Sequence, residues 1–191
     1  MEQLAPLFFA ANLVLMTTPI LVLERPREDL AISYLEFIEE MRQNGEKIWD
    51  GMIPKPNEST AQFVQWLLSK DTSTASGFIA ETTYWACEGN SVVGRIALRH
   101  YLDENLKEFG GHIGYEVRPN CRKRGIAKEM LRQLLLTPKA KEISKLLLTC
   151  APDNTASNKT ILANGGLLTK TAYVEKWKRE TNYYWICLEQ V

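Results

Sequence analysis

The sequence predicts an α/β domain, a mixed sheet with helices packed against it, and three observations carry that. Residues 112–136 read as a strand, a basic turn and an amphipathic helix. Residues 82–87 and 92–100 alternate at strand period on either side of Glu88-Gly89-Asn90-Ser91, a hairpin signal. Strand-like and helix-like runs interleave to the end of the chain, and no repeat, low-complexity tract or linker divides them. One domain is therefore expected. A chain of 191 residues is long enough to bury a core, and 45% hydrophobic with 24% charged residues is ordinary for a globular protein.

In chain order, residues 20–23 form a short apolar run closed by Arg25-Pro26, a first strand. Leu30, Ile32, Tyr34, Leu35, Phe37, Ile38 and Met41 recur at helical spacing, and Gly45 stops that helix. Residues 48–58, with Trp49, Gly51, Pro54 and Pro56, read as a loop. Ser59 or Thr60 caps a second helix over residues 61–68, and residues 71–77 are polar loop. After the hairpin, residues 101–111 make a polar connection ending in Gly110-Gly111. The strand HIGYEV follows and is stopped by Pro119. The next helix opens near Gly125 and puts Ile126, Met130, Leu131, Leu134 and Leu135 on one face. Thr137 and Pro138 start a further helical turn. LLLTC (146–150) is a short strand expected at the sheet centre. A short helix over residues 156–163 closes at Asn164-Gly165-Gly166, and two strands, 167–175 and 183–189, finish the chain.

Net charge is zero, which argues against a nucleic-acid partner needing a basic footprint. The positive charge is local instead. Arg118, Arg122, Lys123, Arg124, Lys128 and Arg132 face one anion, Glu129, around a glycine-marked helix start. Unpaired N–H groups and the positive end of the helix dipole make such a start an anion site sized for a phosphate or pyrophosphate. The alternative is a solvated helix face.

Cys87, Cys121, Cys150 and Cys187 are scattered without a CxxC pair, and His100 and His112 are the only histidines, so no metal site is expected. Cys87, Cys150 and Cys187 read as buried hydrophobes, and Cys121 as a thiol that the basic turn could activate. A reducing, cytoplasmic setting fits this usage. Residues 4–23 are apolar but hold Asn12, Thr17, Thr18 and Pro19 and lack a basic leader, so neither a membrane span nor a signal peptide is expected. Residues 1–19 read as an N-terminal extension, with Met16 a natural start, and residues 20–191 as the domain.

These residues resemble the GNAT superfamily of acyl-CoA-dependent N-acetyltransferases. The family hallmark, R/Q-x-x-G-x-G/A between strand and helix, stands here as Arg122-Lys123-Arg124-Gly125-Ile126-Ala127. GYEVRP precedes it, LLLTC follows the helix, and Asp153-Asn154-x-x-Ser157 opens the next short helix. RH-x-L at Arg99-His100-Tyr101-Leu102 and GGHIGY-x-VRP are similar to a bacterial subgroup of predicted acetyltransferases. The resemblance implies a mostly antiparallel, twisted sheet of about six or seven strands, splayed at its two central strands.

It further implies acetyl-CoA as cosubstrate and a primary amine, on a small molecule or peptide, as acceptor. The coenzyme diphosphate is expected on the turn from Arg122 through Lys123, Arg124, Gly125 and Ile126 to Ala127, and the pantetheine arm along Val117 and Arg118. Val117 N–H becomes the oxyanion donor, and Asn154 and Ser157 border the arm, though Asn154 also suits a helix cap. His112, Gly114 and Glu116 share one strand face. His112 is the expected base, directly or through water, with Glu116 as runner-up; the alternative has His112 pin the sheet edge and Glu116 pair with an arginine. Relatives often carry an acidic Tyr where this chain has Ile161, leaving Tyr115, Tyr173 or water for that task. Trp49, Trp66, Trp85, Trp177 and Trp185 are candidates for the acceptor walls, with core packing as the alternative. A homodimer through the terminal strands is compatible with the sequence. The competing function is a CoA-binding sensor or interaction domain with weak catalysis.

Overall fold

The computed structural model describes residues 20–72 and 79–188. The expected N-terminal extension lies outside these residues, as does most of the polar loop before the hairpin.

Among the described residues, seven strands fall into two sheets that meet edge to edge. Leu21–Glu24 (β1), Glu81–Glu88 (β2), Ser91–Arg99 (β3) and Ile113–Val117 (β4) form the first, in the order β1-β2-β3-β4. Lys145–Cys150 (β5), Leu167–Val174 (β6) and Arg179–Cys187 (β7) form the second, in the order β5-β7-β6. All five strand pairings are antiparallel. The helices are Ala31–Gln43 (α1), Thr60–Ser69 (α2), Glu104–Glu108 (α3), Ile126–Leu135 (α4), Pro138–Ile143 (α5) and Thr155–Leu162 (α6).

Alternation along β3, reset by a β-bulge where Gly94 and Val92 face Ala86 and Cys87, divides the first sheet's faces. Ile96 and Leu98 pack with Met130, Leu131 and Leu134 of α4. Trp85 and Val92 pack on the other face with Tyr34, Phe37 and Phe63 of α1 and α2. Between those apolar residues the second face turns polar at Arg95 and Arg99, the wall of the cavity described below.

Between β4 and β5 the ladder gives way to a clasp at one end, beside which Gly110 N–H donates to Thr149 Oγ1 (2.8 Å). His112 N–H donates to the Leu147 carbonyl (2.7 Å), and Leu147 N–H donates to His112 Nδ1 (2.9 Å). Gly111 permits this approach: its φ is +62°, and a Cβ there would stand 2.4 Å from the Leu147 carbonyl oxygen. Beyond the clasp the strands part. The slot between them is spanned by one side-chain bond, Tyr115 Oη to Ser157 Oγ of α6 (2.8 Å).

Three local expectations need correction. The polar connection contains α3, capped by Asp103, whose side chain accepts from Leu106 N–H (2.8 Å). β7 starts at Arg179, four residues before the apolar run, because Arg179–Asn182 pair with β6 through the backbone whatever their side chains. Cys187 is exposed rather than buried.

Candidate active site

The turn between β4 and α4 is built to leave backbone donors open. Ser59, Asp103, Thr137 and Asn154 cap α2, α3, α5 and α6 with their side chains, and α1 continues from a 3-10 turn. α4 has no side-chain cap. Its N-cap is Gly125 at φ +81°, and its first helical bond is Glu129 N–H to the Gly125 carbonyl (3.1 Å). The N–H groups of Gly125, Ile126, Ala127 and Lys128 thus lack helical acceptors. Gly125, Ile126, Ala127 and Lys128 all line one cavity of about 960 Å³ that continues into the β4–β5 slot.

Most of the cations around this turn are already spent on carboxylates. Arg118 Nη2 and Nε reach Glu40 Oε1 on α1 (2.6 and 2.8 Å). Arg122 joins Glu46 (2.7 Å) and donates through Nε to the Val117 carbonyl (3.0 Å). Arg124 forks onto Glu88 at the end of β2 (2.8 and 2.9 Å). Among the described residues, Lys123 and Lys128 have no ion-pair partner. The arginines therefore fix the turn, while the backbone and the two lysines are left to face an anion.

Arg118 N–H donates to the Val93 carbonyl (2.9 Å) on β3. Strand alternation then sends the N–H of Val117 the other way, into the slot. Val117, Cys150, Ala151, Asn154 and Ser157 line the slot. Asn154 is used as a cap, accepting from Ser157 N–H through Oδ1 (3.0 Å). Ile161 is buried against α4 and Gly166, with no polar group to offer. Tyr115 lines the slot instead; burial raises its phenol to a pKa of about 12, partly offset by the bond to Ser157.

The two candidate bases part company. His112 is 6% exposed, sits beside Trp185 and does not line the cavity. Burial and the nearby Arg99 charge lower its pKa to about 4, so Nδ1 stays free to accept from Leu147. It is a strand clasp. Glu116 does line the cavity and accepts from Arg95 Nη1 (3.2 Å).

Arg95 belongs to a buried charge cluster that sequence reasoning missed. Glu81 pairs with Lys70 (2.6 Å) and Arg99 (3.5 Å). Burial pushes the Glu81 carboxyl up, but Lys70, Arg95 and Arg99 together hold it below the ordinary value. The one legible signal was the spacing of Arg95 and Arg99 on one strand face opposite Glu116. Of the tryptophans, Trp49 and Trp177 line the cavity, with Phe109 4.5 Å from Trp177 between ring centres. Trp85 is fully buried against Tyr34, Trp66 packs on Phe63, and Trp185 packs beside His112, so these three do not line it.

A family model described as an acetyltransferase (GNAT) domain matches residues 21–166. The chain belongs to that family and is, by class, an N-acetyltransferase. The same fold recurs in solved structures. The microcin C7 self-immunity acetyltransferase MccE, in complex with acetyl-CoA and AMP, superposes with a TM-score of 0.64 at 16% identity, covering 88% of this chain and 92% of that one. RimL, the ribosomal L7/L12 α-N-protein acetyltransferase in complex with coenzyme A, gives 0.65 at 18% identity, covering 92% and 97%. The ribosomal-protein-S5-alanine acetyltransferase of Vibrio fischeri gives 0.61 at 14%, covering 87% and 91%. No curated protein matches the chain.

Proposed function

We propose that this protein transfers the acetyl group of acetyl-CoA directly to a primary amine. The observation that carries the proposal is the continuity of the slot with the uncapped start of α4: one cavity offers open donors for a diphosphate and a parted strand pair for the arm behind it. MccE and RimL, which share the fold, are seen with acetyl-CoA and coenzyme A, and this supports the choice of cosubstrate.

The turn from Lys123 to Ala127 would hold the diphosphate through backbone N–H groups, at about 1.5–3 kcal/mol for each charge-assisted bond and about 0.3–1 kcal/mol from the helix end. When bound, the cosubstrate supplies an activated acetyl thioester. Val117 N–H would polarise the thioester carbonyl. Glu116 would take the proton that the amine loses as its nitrogen bonds to the acetyl carbon and the carbon–sulfur bond breaks. Tyr115 keeps its proton at neutral pH and would give it to the departing thiolate, a task Ile161 cannot perform. His112 is left out of this chemistry. Arg118 would orient the turn through α1.

Thiol release from acetyl-CoA against an amine panel, beside calorimetric titration of acetyl-CoA, tests the proposal. Micromolar binding with amine-dependent release is expected. Tight binding without release on any amine would favour a coenzyme sensor, and no binding at all would remove both.

A further inference from the structure

At the end of the cavity away from the turn, the wall carries more positive charge than its own carboxylates balance. Lys70 and Arg99 share Glu81, and Arg95 takes Glu116. Lys176 and Arg179, at the rim, have no ion pair among the described residues. The enclosed cations Lys70, Arg95 and Arg99 face only the two carboxylates Glu81 and Glu116, and uncompensated charge out of water is costly, so a bound anion is favoured here and a polycation is not.

One donor stands out. Arg99 Nη1 is held by the carbonyls of Gly110 (3.4 Å) and Gly111 (3.0 Å), and Nε faces Glu81. Nη2 has no protein partner among the described residues and lies over Gly114, 3.6 Å from where a Cβ would stand. Glu116 is two residues further along the same strand face, its Cα roughly 7 Å from that of Gly114. An amino group and a carboxylate on one carbon are of a size to bridge that spacing, with one hydrogen bond at each end. Met52, Trp49, Phe109 and Trp177 give this end an apolar and aromatic wall as well, with Asn105 at the rim bonded to Lys176 (2.9 Å).

We propose that the acceptor is an aromatic amino acid or a close analogue, its carboxylate on Arg99 and its amine at Glu116. The proposal rests on the N-acetyltransferase reading above and deepens it. Glu81 alone does not neutralise this region: burial and the neighbouring Arg95 charge together lower the proton affinity of Arg99 despite Glu81 beside it.

The test pairs L-phenylalanine with phenethylamine, which lacks only the carboxylate, and adds spermidine as the polycation. Binding to the CoA-loaded protein is read by calorimetry and acetyl transfer by thiol release. Phenylalanine is expected to bind at least tenfold tighter than phenethylamine. In Arg99→Gln the ratio should fall to within twofold while CoA affinity holds; Arg99→Lys should keep part of it. The wild-type comparison stands even if a variant fails to fold. Equal binding, preference for phenethylamine or spermidine, binding of none at 10 mM, or equal loss of both partners in Arg99→Gln overturns the proposal. Discrimination in binding without transfer to any amine would keep the ligand class and remove the N-acetyltransferase reading. Transfer without discrimination would do the reverse.

Discussion

His112 and Leu147 hold each other twice: the His112 N–H donates to the Leu147 carbonyl at 2.7 Å, and the Leu147 N–H donates to His112 Nδ1 at 2.9 Å. A side chain thus replaces one backbone partner in the step between two sheets. The substitution matters because a continued ladder would close the slot. With a ring nitrogen as acceptor, β4 and β5 are tied at one end and free to diverge at the other.

Protonation of Nδ1 would break this clasp. The unfolded His112 titrates near its ordinary value of 6.5 and the folded one near 4, so between those pH values the unfolded chain binds more protons. The clasp's contribution should be full above pH 7, fall as pH drops from 6.5 to 4, and level off below; the loss is about 3 kcal/mol. His112→Ala leaves the buried Leu147 N–H without an acceptor and should cost about 1–3 kcal/mol at pH 7. Urea midpoints for both proteins at pH 7.5, 5.5 and 4.5 measure it. A variant whose stability falls with acid as steeply as the wild type would show that His112 is not the titrating group.

The strand, turn and helix around Gly125 were legible because each local rule agreed there: alternation, a Pro stop, a glycine with positive φ and a helical apolar stripe. The six arginines and lysines near it were legible as a cluster but not by partner. Glu40, Glu46 and Glu88 lie 78, 76 and 36 residues away from theirs in sequence, and no local period reports such pairings. The same holds for His112. Alternation placed it on a face, but only the approach of β5 decides whether its ring meets substrate or a neighbouring N–H. The start of β7 was hidden because Arg179, Glu180, Thr181 and Asn182 carry no apolar alternation.

Glu116→Gln keeps the shape of the side chain and removes its basicity. The rate of transfer should fall by about 10²–10⁴ with acetyl-CoA affinity unchanged, as expected when a general base is lost. Single-turnover rates at saturating acetyl-CoA separate the chemical step from binding. A loss below tenfold would return the proton to water.

At the turn, charge and backbone separate by residue. Lys123→Ala should weaken CoA binding about tenfold and flatten its salt dependence, because Lys123 has no carboxylate partner among the described residues. Arg124→Ala, already forked onto Glu88, should change it no more than twofold. Gly125→Ala meets no atom within 4 Å, so its cost is the φ of +81°, about 1–2 kcal/mol. Much of that cost should appear as weaker coenzyme binding as the turn relaxes. Calorimetric titration of CoA at two salt concentrations reads all three; equal losses for Lys123→Ala and Arg124→Ala would contradict the assignment.

Tyr115 places a phenol in the slot. Its phenol is pushed to about 12 by burial, with the Ser157 bond pulling slightly the other way, so it stays protonated across the working range; the proton is available to the departing thiolate, though from a weaker acid than an ordinary phenol. Tyr115→Phe removes the proton and the 2.8 Å bond to Ser157 with little change in volume. Transfer should slow by about 10², with CoA affinity held within a few-fold. Ser157→Ala removes the same bond but leaves the phenol, and should slow transfer far less. That contrast separates proton donation from simple bridging of the slot. If both variants lose activity equally, the bond to α6 is what matters and Tyr115 is a brace; if Tyr115→Phe turns over at the wild-type rate, water protonates the thiolate.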